Sequence, residues 1–305
     1  MILCIGEILA DLIGEEKDGV FSYRRKAGGA PFNVACACGK FGAQSVFCGS
    51  VGKDAIGDFL IGFIGKQPLK AFHIRRDSRR NTTLAFVHLD SSGERSFSFY
   101  RKNTADSHLD PVSDEAIGQS SIVHIGSLML SEQAGRKYAN AIIAQAHRLG
   151  KLVSFDVNFR EDLFPDRAKA VRIYREIIAQ ADIVKFSEDE VGIFTETYVR
   201  GLKDALVCIS LGERGSRYRY REMDRTIPSI SVRPVDTTGA GDAFYGGVLS
   251  QLDDVKREEW NEGFLDRTFR FANICGALNT LGKGAIDPLP DRETVSRYLK
   301  EEEAK

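Results

Sequence analysis

The run from Val235 to Phe244 (Val-Asp-Thr-Thr-Gly-Ala-Gly-Asp-Ala-Phe) carries the most chemistry in the chain. Gly239, Ala240 and Gly241 have little or no side chain, so a ligand can approach their backbone closely. A strand ending at Val235-Asp236 and a helix beginning at Ala240 would put these residues at a helix start. There, unbonded N–H groups and the helix dipole favour an anion. Asp242 follows directly. A carboxylate beside a phosphate-binding turn would be repelled by the phosphate. It makes sense if it instead faces a hydroxyl about to attack that phosphate. A capping aspartate in a glycine-rich loop is the plain alternative. The turn is not a Walker loop, because G-x-x-x-x-G-K-[ST] occurs nowhere. It is not a dinucleotide fingerprint either, since the third glycine is missing.

Strands and helices must hold this turn. Ile2 to Ile5 is a short apolar run suited to a buried strand. Val20 to Arg25 is a more polar strand. Gly28-Gly29-Ala30-Pro31 opens a helix that runs to Phe41 and stops at Gly42, with proline in the first turn and glycine just past the end. Thr83 to Tyr100, with Ser91-Ser92-Gly93 between its halves, reads as a β-hairpin exposed on one face. Beyond it strands and helices alternate. Strand signals lie near Ile122, Leu152, Ile183, Leu206, Ser216 and Ile230 to Asp236. Helix signals cover Ser131 (as cap) to Leu149, Arg167 to Ala181, Ala240 to Leu252 and Glu259 to Leu281. Such alternation implies a mainly parallel sheet wrapped on both faces. The early polar strands do not fit inside it and are expected to form a separate small sheet.

The chain has 305 residues, 43% hydrophobic and 28% charged, which is ordinary globular composition. With 42 Lys plus Arg against 43 Asp plus Glu, there is no basic excess for a nucleic-acid partner. No apolar run is long enough to span a membrane. Residues 1–14 lack a basic leader region and are interrupted by Glu7 and Asp11, unlike a signal peptide. The six cysteines sit mostly in apolar runs without C-x-x-C spacing, so reduced, buried thiols and a cytoplasmic location are expected. The five histidines show no metal-ligand spacing.

The stretch from Asp236 to Phe244 resembles the C-terminal signature of the ribokinase-like (PfkB) family of ATP-dependent sugar kinases. Gly28 to Ala35 is similar to that family's other signature. Gly6-Glu7 with Asp11, and Val51-Gly52-Lys53-Asp54 with Gly57, fit the same pattern in the same order. Gly93 to Arg101 followed by Ala105-Asp106, and Asp156-x-Asn158-x-Arg160, look most like the bacterial fructokinase branch. The resemblance implies one sugar-kinase domain over residues 1–305. It would be an α/β three-layer sandwich with a mainly parallel central sheet and a small β-sheet lid, built from strands near 12–26 and 83–101.

It also implies roles. Asp242 would act as general base toward a sugar hydroxyl, with the pKa near 3.9 of an ordinary aspartate. Gly239, Ala240 and Gly241 would form an anion hole. Asp11, Gly28, Gly29, Asn33, Phe99, Arg101 and Arg160 would bind the sugar, Phe99 and Arg101 as part of the lid. Ser187, Ser210, Gly212, Gly215, Gly239, Gly241 and Asn273 would bind the nucleotide, Ser187 standing where the family has Asn. Glu190 would organise Mg²⁺ through water, since that ion dehydrates reluctantly. Asp236, Thr238, Asn279, Gly282 and Gly284 match positions for a monovalent cation such as K⁺.

The expected reaction is D-fructose to fructose 6-phosphate. The alternatives are 2-keto-3-deoxygluconate or another sugar or nucleoside as substrate, or a non-catalytic sugar- or nucleotide-sensing relative. The apolar residues Val87, Phe97 and Phe99 of the lid suggest a homodimer through that sheet. Arg217 to Arg221 alternates arginine and tyrosine and reads as a solvated sheet edge. Arg75 to Arg80 reads as a solvated loop, and Glu301 to Glu303 as a frayed tail.

Overall fold

In the computed structural model, residues 1–89 and 95–303 are described. The turn expected at Ser91-Ser92-Gly93 lies outside them. The chain opens with β1 (Ile2–Ile5), β2 (Leu9–Lys17), β3 (Val20–Gly28) and α1 (Ala30–Lys40). Then come β4 (Ser45–Gly52), α2 (Ala55–Ile64), β5 (Ala71–Asp77), β6 (Leu84–Leu89) and β7 (Arg95–Tyr100). Four helices and three strands follow: α3 (Asp114–Gly118), β8 (Ile122–Ile125), α4 (Gln133–Arg148), β9 (Leu152–Asp156), α5 (Arg167–Ile178), β10 (Ile183–Ser187) and α6 (Glu188–Phe194). The rest is α7 (Glu196–Arg200), β11 (Leu206–Ser210), β12 (Ser216–Tyr220), β13 (Met223–Ile227), α8 (Ala240–Leu252), α9 (Glu262–Asn279) and α10 (Arg292–Glu303).

Nine strands form one sheet in the order β13-β12-β11-β10-β9-β8-β1-β4-β5, parallel except at β12 and β13. Alternate side chains enter two cores. In β1, Ile2 and Cys4 join the core that also holds Phe32, Phe244 and Phe269; Leu3 and Ile5 join the one that holds Ile143, Tyr174 and Phe194. Burial on both faces explains why β1 reads as an unbroken apolar run rather than an alternating one. Strand order reverses around β1, which lies between β4 and β8. The crevice beyond the carboxyl ends of strands at such a switch is where open α/β sheets bind ligands.

The second sheet, β3-β2-β6-β7, is separate, as its polar pattern suggested. Leu9, Ala85 and Leu128 form its small core, with Phe99 and Leu163 packed against them.

Several expectations needed correction. Residues 230–236 are not a strand. Pro228 and Pro234 remove donors that a ladder needs, and the N–H groups of Val235 and Asp236 donate instead to the Thr280 carbonyl at the end of α9. The strand that closes the sheet is β13. The Arg-Tyr stripe is β12, an inner strand. Tyr218 and Tyr220 are buried, and Arg219 is buried too, paired with Glu196 and Asp224. Arg75 and Arg76 belong to β5 rather than to a loop. Ser131 does not cap α4. Its hydroxyl donates to the Leu128 carbonyl and accepts from Arg101. Glu301 to Glu303 are the last residues of α10. Val87 is buried, so it cannot contribute to an outer lid face. The side chain of Phe97 lies outside the described residues.

Candidate active site

The turn before α8 is braced from three sides. Asp236 accepts from the N–H groups of Thr238 (2.8 Å) and Gly284 (2.9 Å), and Asn279 Nδ2 donates to the Thr238 carbonyl at 3.1 Å. Gly239 adopts a left-handed conformation, φ 74°, which glycine takes without a Cβ penalty. A Cβ there would lie 2.5 Å from the Cβ of Ala285. The Ala240 N–H turns back to Thr237 at 3.2 Å. The remaining first-turn amides of α8 are the ones an anion can use.

Asp242 stands one residue further on. Asn33 Nδ2, from the first turn of α1, donates to its Oδ2 at 2.8 Å. Burial raises the Asp242 pKa above the ordinary aspartate value, against the pull of Lys185, Asn33 and Arg160. A helix terminus by itself does not raise an aspartate; enclosure of the carboxyl does, which corrects the expectation of an ordinary aspartate value.

Asp242 lines a cavity of about 330 Å³ with Asp11, Gly29, Asn33, Phe99 and Arg160. Five of the seven residues expected to hold a sugar are thus brought together. Gly28 does not line this cavity. Its missing side chain leaves room for the Asp11 carboxylate, which occupies the place of its Cβ. Arg101 does not line it either. It is buried, donating through Nε to Asp106 at 2.6 Å, while its Nη2 has no partner.

A second cavity of about 550 Å³ is lined by Ser210, Gly212, Gly215, Asn273, Ala240 and Gly241. Gly215 (φ 97°) has no room for a side chain beside Pro228 and Ser229. Thr237 and Gly241 line both cavities. The glycine turn is therefore the wall through which two bound molecules would meet, with Asp242 on one side.

Ser187 and Glu190 line neither cavity. They form a reciprocal cap on α6: Ser187 Oγ accepts from the Glu190 N–H, and Glu190 Oε2 accepts from the Ser187 N–H at 2.7 Å. Glu190 Oε1 accepts from Phe159 N–H at 2.6 Å. Each oxygen keeps a lone pair that a metal-bound water could use. Among the described residues no cluster of three metal-ligating side chains forms, so a magnesium ion here would depend on nucleotide oxygens and water. Buried Thr238 Oγ1 and Asn279 Oδ1 have no hydrogen-bond partner. Two orphaned oxygens under the turn suit a monovalent cation.

Sequence reasoning missed two charged residues of the first cavity, Glu7 and Lys185. Lys185 interrupts an apolar strand, and a lysine in that setting is rarely buried unless paired. That was the available signal. Glu7 is only 1% exposed, and neither carboxyl oxygen has a partner. Burial pushes its pKa from 4.5 up to about 8, Arg101 pulling against Asp106 and Asp242.

The folded chain therefore holds the Glu7 proton where the unfolded chain has lost it. Stability from this group is full below pH 4.5 and is lost as pH rises toward 8. The difference in urea unfolding free energy between wild type and Glu7→Gln should shift against the wild type over that range. The slope should approach about 1.4 kcal/mol per pH unit. A difference independent of pH would contradict the assignment.

The pfkB family carbohydrate kinase description matches residues 1–292. The chain belongs to this family, and it is a carbohydrate kinase. Among its relatives, probable fructokinase-5 of Arabidopsis thaliana is 35% identical over 316 residues, covering 98% of this chain and 97% of the relative. The crystal structure of fructokinase with bound ATP from Xylella fastidiosa superposes with a TM-score of 0.92 at 30% identity, covering 100% of this chain and 99% of that one. Fructokinase from Vibrio cholerae, bound to fructose, ADP and calcium, matches with a TM-score of 0.87 at 32% identity over 98% of both chains. A double mutant of that enzyme was crystallised with fructose, ADP and potassium. The ribokinase-like expectation for the fold is met, both in the mostly parallel sheet and in the separate small one.

Proposed function

We propose that this chain, as one sugar-kinase domain, transfers the terminal phosphoryl group of ATP to D-fructose, giving fructose 6-phosphate. The observation that carries the reading is the single wall shared by the two cavities. The smaller one, rich in polar groups, would take the sugar. The larger one, with Ser210, Gly212, Gly215 and Asn273, would take the nucleotide. Asp242 accepts the hydroxyl proton while first-turn amides of α8 stabilise the charge on the transferred group. Phosphoryl transfer is loose, so the proton becomes acidic only as the new bond forms. A base that is oriented, with its pKa raised by burial, then suffices. Magnesium, when bound with ATP, would neutralise phosphate charge, with Glu190 reaching it through water. Fructose is favoured by the names that the relatives carry. Arg160 in the sugar cavity keeps a carboxylated sugar such as 2-keto-3-deoxygluconate as the second reading.

A coupled ADP-release assay across a panel of sugars tests this. Fructose should give the highest kcat/KM. ATP turnover independent of any sugar would refute the kinase reading, and a sugar acid as best substrate would select the second.

Two further features belong to the proposal. A K⁺ held by Thr238 and Asn279 beside Asp236, Gly282 and Gly284 would stiffen the turn. Turnover should then be several-fold higher in KCl than in NaCl or a choline salt, and equal rates would exclude it. The outer lid face carries an aromatic ladder, Phe21–Tyr23–Phe86–Tyr100, with ring centroids 4.9–5.1 Å apart. Phe21 and Tyr100 are 57% and 65% exposed. A second copy would cover them, so sedimentation at micromolar concentration should show a dimer, and Phe21→Ser with Tyr100→Ser should leave only the 33.8 kDa monomer. All six cysteines are buried and unpaired, which suits the reducing cytosol we assign to it. No helix among the described residues is long and apolar enough to cross a membrane.

A further inference from the structure

We propose that Lys185 is a catalytic residue whose ammonium group faces the phosphoryl group in transit and stabilises its charge together with the amides of the glycine turn. This rests on the kinase reading above and adds a participant to it.

Lys185 lies in the middle of β10, between Val184 and Phe186, and is 6% exposed. Such burial is costly for a cation unless it is paired. Asp156, directly opposite it on β9, accepts from Lys185 Nζ through both carboxyl oxygens, each at 2.9 Å. Burial works against the Lys185 charge. Asp156, then Glu190 and Asp242, outweigh it, so the pKa stays above the ordinary lysine value. The amine is therefore held as a cation, which suits it to stabilise charge rather than to accept a proton.

Its position gives the charge a use. Lys185 lines the sugar cavity with Asp242, Thr237 and Gly239. A carbon placed at the Cβ position of Gly241 would lie 3.4 Å from its Nζ, so the ammonium sits against the turn that separates the two cavities. The ammonium has three N–H donors and Asp156 takes at most two of them, which leaves at least one for a ligand in the cavity that Lys185 lines. In the reaction the sugar oxygen bonds to the terminal phosphorus. The bond from that phosphorus to the bridging oxygen breaks, its electron pair leaves with ADP, and the hydroxyl proton passes to Asp242. Charge on the three equatorial oxygens then lies next to the Asp242 carboxylate. A fixed cation on the same wall offsets that repulsion without reorganising.

The plain alternative is that Lys185 serves only as the counter-ion of Asp156. Lys185→Met alone does not separate the two, because it leaves Asp156 buried and unpaired. The double variant Lys185→Met with Asp156→Asn removes both charges and keeps the volume. We expect it to keep a thermal midpoint near that of wild type and a fructose KM within about threefold. Its kcat should fall by about 10²–10³-fold, the usual loss on removing one preorganised group. Its affinity for ADP with aluminium fluoride and fructose should fall by a similar factor, while its affinity for ADP alone is retained. A double variant with kcat within about fivefold of wild type would reduce Lys185 to a structural counter-ion and overturn the assignment. Wild type without sugar-dependent turnover would overturn the kinase reading, and this assignment with it.

Discussion

Asp242→Asn should lower kcat by ~10²–10⁴-fold, the usual contribution of a positioned base, and leave the fructose KM within a few-fold. The amide has almost the shape of the carboxylate. Asn33 Nδ2 now donates to Oδ2 at 2.8 Å, and the replacement can still offer a carbonyl oxygen there, so the cavity keeps its form. It has no basicity with which to accept a proton. Burial has already raised the Asp242 pKa, which makes the native group a better late acceptor than an exposed aspartate would be. It also implies that kcat falls on the acidic side as Asp242 takes up a proton, and that this limb vanishes in the variant. Steady-state kinetics with fructose and ATP from pH 5 to 8 measure both effects. A kcat near that of wild type would remove Asp242 from the chemistry.

The chemistry was more legible than the architecture around it. The glycine turn, Asp242 and Asn33 stand in local patterns where residue type and spacing both matter, and the fold brings them to one cavity. Ile2 to Ile5 and Ala240 to Leu252 are found at the expected bounds, because uniform burial and a glycine-marked helix start are local signals. Three of the failures come from hydrogen-bond or ion-pair partners that a reading of each segment by itself does not supply. Residues 230–236 look strand-like, yet Thr280 takes the backbone donors that a strand would have used. The stripe at Arg217 looks solvated until Glu196 and Asp224 are brought over it. Arg101 looks like a lid residue reaching for sugar, but it is buried in an ion pair with Asp106. Lys185 was hidden for a related reason. Its partner Asp156 lies 29 residues away in sequence, on a neighbouring strand, and only strand pairing sets them opposite each other.

Gly239→Val should reduce kcat by about 10²–10³-fold, comparable to losing an anion-hole donor, while the fructose KM changes little. Two costs act at one point. The native φ of 74° belongs to a region that a β-branched residue rarely occupies. A Cβ would also sit 2.5 Å from the Ala285 Cβ and 2.6 Å from its Cα, and backbone cannot swing aside as a flexible side chain can. The turn must therefore move, and the first-turn amides of α8 move with it. Asp11, Asn33 and Phe99 are carried by β2, α1 and β7, so the sugar keeps most of its contacts. Gly239→Ala brings the same first carbon against Ala285 but no β-branch. Its loss should be smaller than that of valine yet clearly measurable. If Gly239→Ala is fully active and valine alone is impaired, the turn tolerates both the carbon and the φ, and the β-branch alone matters. If both are active, the amides of this turn do not carry the transferred charge. A thermal melt of each variant separates a displaced turn in a folded chain from general unfolding, because only the displaced turn loses kcat while retaining a near-native midpoint and fructose KM.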